Sequence, residues 1–252
     1  MMVWKLSVFC LFASGCWGQE IKSLNERLRS QKDLPGAIGD LFKTSELDPA
    51  TSLTLADVFD SSKDEENKFK IDMVMLKHKN TDARYFRHLE KAILATLAVD
   101  PPDMLAVNAP SQPSDSFRNW CASAPVSLPL AQCTERYALS PARSIMLAEM
   151  SGDKRFIPLF RKCLSVHIYP IWTACVSGLA HLGDRESIPA VAAKIAASGL
   201  TLDVLMLVGF DDSLSDQIAL ELAKADESVL KMIHSVITIR TEERKKKTEG
   251  RK

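Results

Sequence analysis

The chain has 252 residues, of which 46% are hydrophobic and 25% charged. That is enough apolar surface for a continuous core, which excludes a protein disordered throughout. Its formal net charge is zero, but the last thirteen residues hold seven basic and three acidic groups, so the rest is mildly acidic. Such totals argue against the basic face that tracks a phosphate backbone, and no nucleic acid is expected as a partner.

Residues 1–18 read as a signal peptide rather than as part of the fold. Lys5 supplies the positive start, LSVFCLFASG the apolar stretch, and small residues follow through Gly18. The stretch is too short for a permanent membrane helix, so cleavage near Gly18 is expected. Ala13-Ser14-Gly15-Cys16 is similar to a bacterial lipobox, with Ala13 in place of the usual leucine, and lipidation of Cys16 is the alternative. Either route exports the chain to the periplasm or beyond; the second leaves it as a membrane-anchored lipoprotein.

Residues 19–99 are expected to form an N-terminal group of helical hairpins, with Leu24 to Phe42 as a short end cap. Phe69, Met73 and Leu76 mark one apolar stripe and Phe86, Leu89, Ile93 and Leu97 the next. Residues 100–130 are expected as a proline-containing loop region, because Asp100 to Pro113 alone holds four prolines. Trp120 lies in this region beside Cys121 and is the candidate contact for a partner. Trp172, beside Ile171, Cys175 and Leu179, reads instead as core.

The segment 131–239 carries the clearest pattern. GDKRFIPLFRKCL from Gly152 is echoed by GDRESIPAVAAKI from Gly183, an offset of 31 residues. Glycine can take positive φ and end a helix, the aspartate after it can cap the next, and proline is acceptable only in a first turn. The unit is therefore helix, Gly-Asp turn, helix. Leu214, Ile218 and Leu222 form a further stripe, and Val229, Ile233, Val236 and Ile237 another. Residues 240–252 read as a basic, flexible tail.

Four cysteines remain beyond the leader, Cys121, Cys133, Cys163 and Cys175, in two pairs twelve residues apart. An oxidising compartment permits disulfides, and neighbour pairing suits cysteines on either side of a tight turn. For Cys163 and Cys175 the alternative, a pair of small buried hydrophobes, carries equal weight.

GLAHLGDRESIPAVAAKIA, residues 178–196, resembles a HEAT repeat of the short form found in phycobilisome (PBS) lyases. The match is strongest over 142–197 and weaker over 53–97 and 202–239. The resemblance implies an all-α fold, an α-α superhelix wound as a right-handed solenoid of HEAT-like hairpins. The layout of leader plus degenerate repeats resembles exported bacterial HEAT-repeat proteins.

Two enzyme classes share such repeats. The deoxyhypusine hydroxylases hold di-iron with His-Glu dipeptides, and this chain has none; His78, His88, His167, His181 and His234 are scattered. Phycobilin lyases, or accessories of that type, remain the alternative, since their repeats supply shape more than motif. Phosphate loops, nucleophile elbows and zinc helices are missing from the sequence. The expectation is a non-catalytic protein-binding scaffold with no cofactor and no metal. Its partner would be a protein or extended peptide, with a membrane involved only through a lipid on Cys16 or the basic tail.

Overall fold

The computed structural model of the protein describes residues 24–30, 33–80, 82–99, 102, 105–106, 109–123 and 126–249. The segment expected as a signal peptide, residues 1–18, lies outside them, and Cys16 with it. The described residues are helical apart from one short hairpin, and the chain divides into two compact units, Met1–Tyr85 and Phe86–Lys252.

In the first unit, α1 covers residues 24–30, and α2 (Leu34–Leu41), α3 (Pro49–Ser61) and α4 (Glu65–Lys77) follow. Each start obeys local chemistry. Asp48 accepts a hydrogen bond from the Thr51 amide at 3.0 Å just before Pro49, and Asp64 accepts one from the Glu66 amide at 2.9 Å. Helix α4 packs on α2 and α3 over Leu34, Ile38, Leu41, Leu55, Phe59, Ile71 and Met75, all buried. Burying such a side chain contributes about 1.5–3 kcal/mol. On α4 the buried edge is Ile71, Val74 and Met75, whereas Phe69, Met73 and Leu76, the stripe read from sequence, are half-buried. Tyr85, in the first turn of α5 (Ala83–Leu97), closes this unit with its ring edge-on to Phe59 at 5.1 Å.

The second unit holds the rest of α5, the hairpin β1 (Leu105–Ala106) and β2 (Ala109–Pro113), and α6 (Asp115–Ala122). The segment expected as loop between 100 and 130 is thus partly ordered: Leu105 pairs with Pro113, Ala106 with Ala109, and Ser114 caps α6 by accepting from the Phe117 amide at 3.1 Å. Pro113 ends its strand, where its lack of a donor costs least.

Helix α7 (Leu130–Thr134) runs through a π turn (Glu135–Leu139) into α8 (Ser140–Ser151). After these come α9 (Ile157–Cys163), α10 (Tyr169–His181), α11 (Ile188–Ser198), α12 (Leu205–Val208), α13 (Ser213–Leu222) and α14 (Glu227–Glu249). Helix α10 packs against α8, α9 and α12, and α14 against α12 and α13.

The internal repeat is repeated in backbone. Gly152 and Gly183 sit in the left-handed region at φ 68° and 70°. A 3-10 turn follows each, Lys154–Phe156 and Arg185–Ser187, and α9 and α11 begin at Ile157 and Ile188 with proline in the first turn. The two aspartates diverge: Asp153 accepts from the Arg155 amide at 2.9 Å, whereas the Asp184 side chain makes no capping bond and is drawn to Arg161 of α9.

The end of the chain departs from expectation. Helix α14 continues to Glu249, so residues 240–249 are helical rather than a loose tail. Lysine and arginine favour helix, and the body holds Arg240, which bonds Asp216 at 2.6 Å, and Arg244, which bonds Asp211.

Candidate functional site

Cys121 on α6 and Cys133 on α7 form a disulfide with Cα atoms 5.9 Å apart. It pins the segment carrying Trp120, which is half-buried. The Trp120 ring stacks on Phe117 at 6.0 Å and meets Tyr137 edge-on at 5.0 Å, while Arg136 lies over Tyr137 at 5.3 Å. Trp120 therefore belongs to an aromatic cluster yet keeps part of its surface exposed. Cys163 and Cys175 are free thiols, both buried, on the packed helices α9 and α10. Burial pushes the Cys175 thiol well above its ordinary range, and a hydrogen bond with Cys163 acts in the same direction. A pair so protected behaves as core.

Helix α8 shows what the sequence reading passed over. Pro141, Ser144, Ile145 and Ala148 face the interior, whereas Met146 and Met150, together with Leu139 at the end of the preceding π turn, lie on the opposite face, the two methionines 54% and 67% exposed. Their spacing of seven and four residues places them on one line. Arg143 stands in that line, held by Glu135, and Glu149 beside it accepts a hydrogen bond from Ser177 at 2.9 Å. The polar groups around the stripe are thus already satisfied. A row of flexible apolar side chains with little free charge suits another polypeptide better than a small polar ligand. The signal was present in the i, i+7, i+11 spacing, but it lay just upstream of the repeat that dominates the sequence.

Two hollows occur. One of about 430 Å³ in the first unit is polar, but its groups serve the fold: Lys77 donates to the carbonyls of Phe42 and Thr44, and Asn80 to Ser52 at 3.2 Å. The other, of about 720 Å³, lies between α12 and α14 and is mainly apolar, with Leu205, Val208, Met232 and Val236 along it.

Two polar contacts of the second unit tie its elements together. Asp203 accepts a hydrogen bond from the Tyr169 hydroxyl at 2.6 Å and another from Ser198 at 3.3 Å, and burial nonetheless raises its carboxyl above the ordinary range. Lys194 donates to the Val166 carbonyl at 2.8 Å and lies 5.6 Å from the centre of the Trp172 ring, which is buried. Among the described residues, no group of three or more His, Cys, Asp or Glu side chains comes together as a metal site. Nor is any described helix long and apolar enough to cross a membrane.

No family model, no curated protein and no solved structure matches this chain.

Proposed function

We propose that the protein is a non-catalytic scaffold of HEAT-repeat type, exported from the cytoplasm, that presents the outward face of α8 and the neighbourhood of Trp120 to a protein or extended peptide. The observation that carries this reading is the solvent-facing row Leu139, Met146 and Met150 on a helix whose other side is well packed. An array of HEAT-like hairpins forming a right-handed solenoid is supported by the two Gly-Asp turns with matching φ, each followed by a 3-10 turn and a proline-started helix. Export is supported by the Cys121–Cys133 disulfide, a bond that persists in oxidising compartments.

The test is photo-crosslinking in the native host with a diazirine side chain at Met146 or Met150, compared with the same probe at exposed Glu221 on α13. A discrete protein adduct formed from α8, and abolished by Met146→Glu with Met150→Glu, is the expected result. Equal, diffuse labelling from both helices would remove the reading.

A further inference from the structure

The aromatic cluster around Trp120 holds hydrogen-bond donors that the fold leaves unused. Among the described residues the Trp120 indole N–H and the Tyr137 hydroxyl donate to nothing, although both side chains are half-buried. Arg136, exposed and 5.3 Å from the centre of the Tyr137 ring, has no carboxylate partner among them either. The adjacent carboxylate, Glu135, already accepts from the Ser140 hydroxyl at 2.9 Å and from Arg143. The patch therefore offers ring surface and free donors, while its neighbouring acceptor is taken.

The rings are also held before anything binds. Cys121, next to Trp120, is bonded to Cys133, one turn ahead of Tyr137. Phe117, wholly buried, stacks on Trp120, and the Trp120 and Tyr137 planes stand at 76° to each other. Two ring planes at nearly a right angle make a corner instead of a flat platform.

A segment that fits such a corner brings flat apolar rings and free carbonyls and asks for no acceptor in return. Polyproline has those properties. Its residues lack the backbone N–H, its carbonyls make no internal hydrogen bonds, and it turns every three residues, so two of its edges meet a corner at once. Its helix is formed in advance, which keeps the ordering cost of binding low. An acidic residue beside the prolines complements the charge of Arg136. We infer that Trp120, Tyr137 and Arg136 bind a proline-rich segment of the partner, flanked by an aspartate or glutamate. The inference rests on the reading of the Trp120 neighbourhood as a docking surface and names the chemistry of what docks there.

The experiment is fluorescence anisotropy of a labelled peptide, eight prolines followed by two aspartates, titrated with the full chain. A control peptide replaces the prolines by glycine and serine. Saturable binding with a Kd of roughly 10–300 µM is expected for the proline peptide, at least about tenfold tighter than for the control. Tyr137→Phe and Trp120→Phe each keep an aromatic ring and remove one donor. Each should weaken binding by about three- to tenfold with an unchanged circular dichroism spectrum. Arg136→Gln should weaken it by about threefold and remove most of its salt dependence. Equal binding of the two peptides makes the ligand an acidic peptide and overturns the proposal. So does binding that both ring variants leave intact, or the lack of any saturable binding. Crosslinking from Met146 and Met150 reports separately on α8: a discrete adduct there without proline-peptide binding removes only the polyproline assignment. Proline-peptide binding without an adduct keeps the Trp120 site and removes the α8 row.

Discussion

The Arg161 guanidinium on α9 reaches forward to the Asp184 carboxylate at the next Gly-Asp turn, with Nε 2.8 Å from Oδ2 and a second bond to the other oxygen. The same guanidinium holds Glu186 at 2.8 Å, and Asp184 also accepts from the Ser187 hydroxyl. One repeat unit is thereby bolted to its successor by a bidentate pair whose acidic half is buried.

Asp184→Ala leaves Ser187 and part of Arg161 without their acceptor and should lower unfolding free energy by about 1–3 kcal/mol, read from urea denaturation. The pH dependence has a definite sign. Arg161 holds the Asp184 carboxyl below its ordinary range, so the contribution is complete above the unfolded pKa and disappears as pH falls through the folded one. An acid titration of Asp184→Asn should lack the drop in stability that the parent shows below about pH 4.

Asp203 gives the opposite sign. Burial raises its carboxyl above the ordinary value of 3.8, so the folded state favours the proton. Its contribution is complete below the unfolded pKa and disappears as pH rises through the folded one. Asp203→Asn keeps an acceptor for the Tyr169 hydroxyl and should flatten the loss of stability that sets in as pH rises above about 4. An unchanged slope in that window would show that Asp203 is not its source.

Gly178 on α10 is set by contact, not by backbone. A Cβ added there would fall 2.5 Å from the Phe160 ring of α9. Gly178→Ala should cost about 1–3 kcal/mol and be partly rescued by Phe160→Leu. Gly183→Ala meets open space, and its cost, about 1–2 kcal/mol, comes from φ alone; no change at Phe160 should repair it. Thermal melts of the two double variants separate the causes.

Replacing both Cys121 and Cys133 by serine should lower stability by about 2–4 kcal/mol, through release of a constraint on the unfolded chain. The same exchange at Cys163 and Cys175 removes no crosslink and instead places hydroxyls in a dry helix contact. Reducing agent should thus soften the parent and leave the Cys121/Cys133 variant unaffected.

Where the sequence was informative, the reason was local. Gly152 and Gly183 need positive φ, and Pro158 and Pro189 fit only a first turn, so the repeat boundaries were readable from single residues. Which face a helix buries depends on neighbours far along the chain. On α13 the buried positions are Ser215 and Ala219, with Leu214 exposed, because close helix contact selects small side chains. On α14, Val236 fits the spacing of the core stripe yet stays open, for nothing among the described residues covers it. Order beyond Arg240 was hidden for the same reason: its anchors, Asp211 and Asp216, belong to an earlier turn and helix. Trp120 was legible as a feature, but its aromatic neighbours come from α6 and the π turn that the prolines obscured.

Because Gly152 and Gly183 take nearly the same positive φ, the chain turns alike at two points thirty-one residues apart. A genetic event that excises or duplicates the stretch between them would join one glycine turn to its like, so the positive φ each turn needs is kept. Length in this molecule can change by whole modules, with selection acting only on the side chains that must then meet new neighbours.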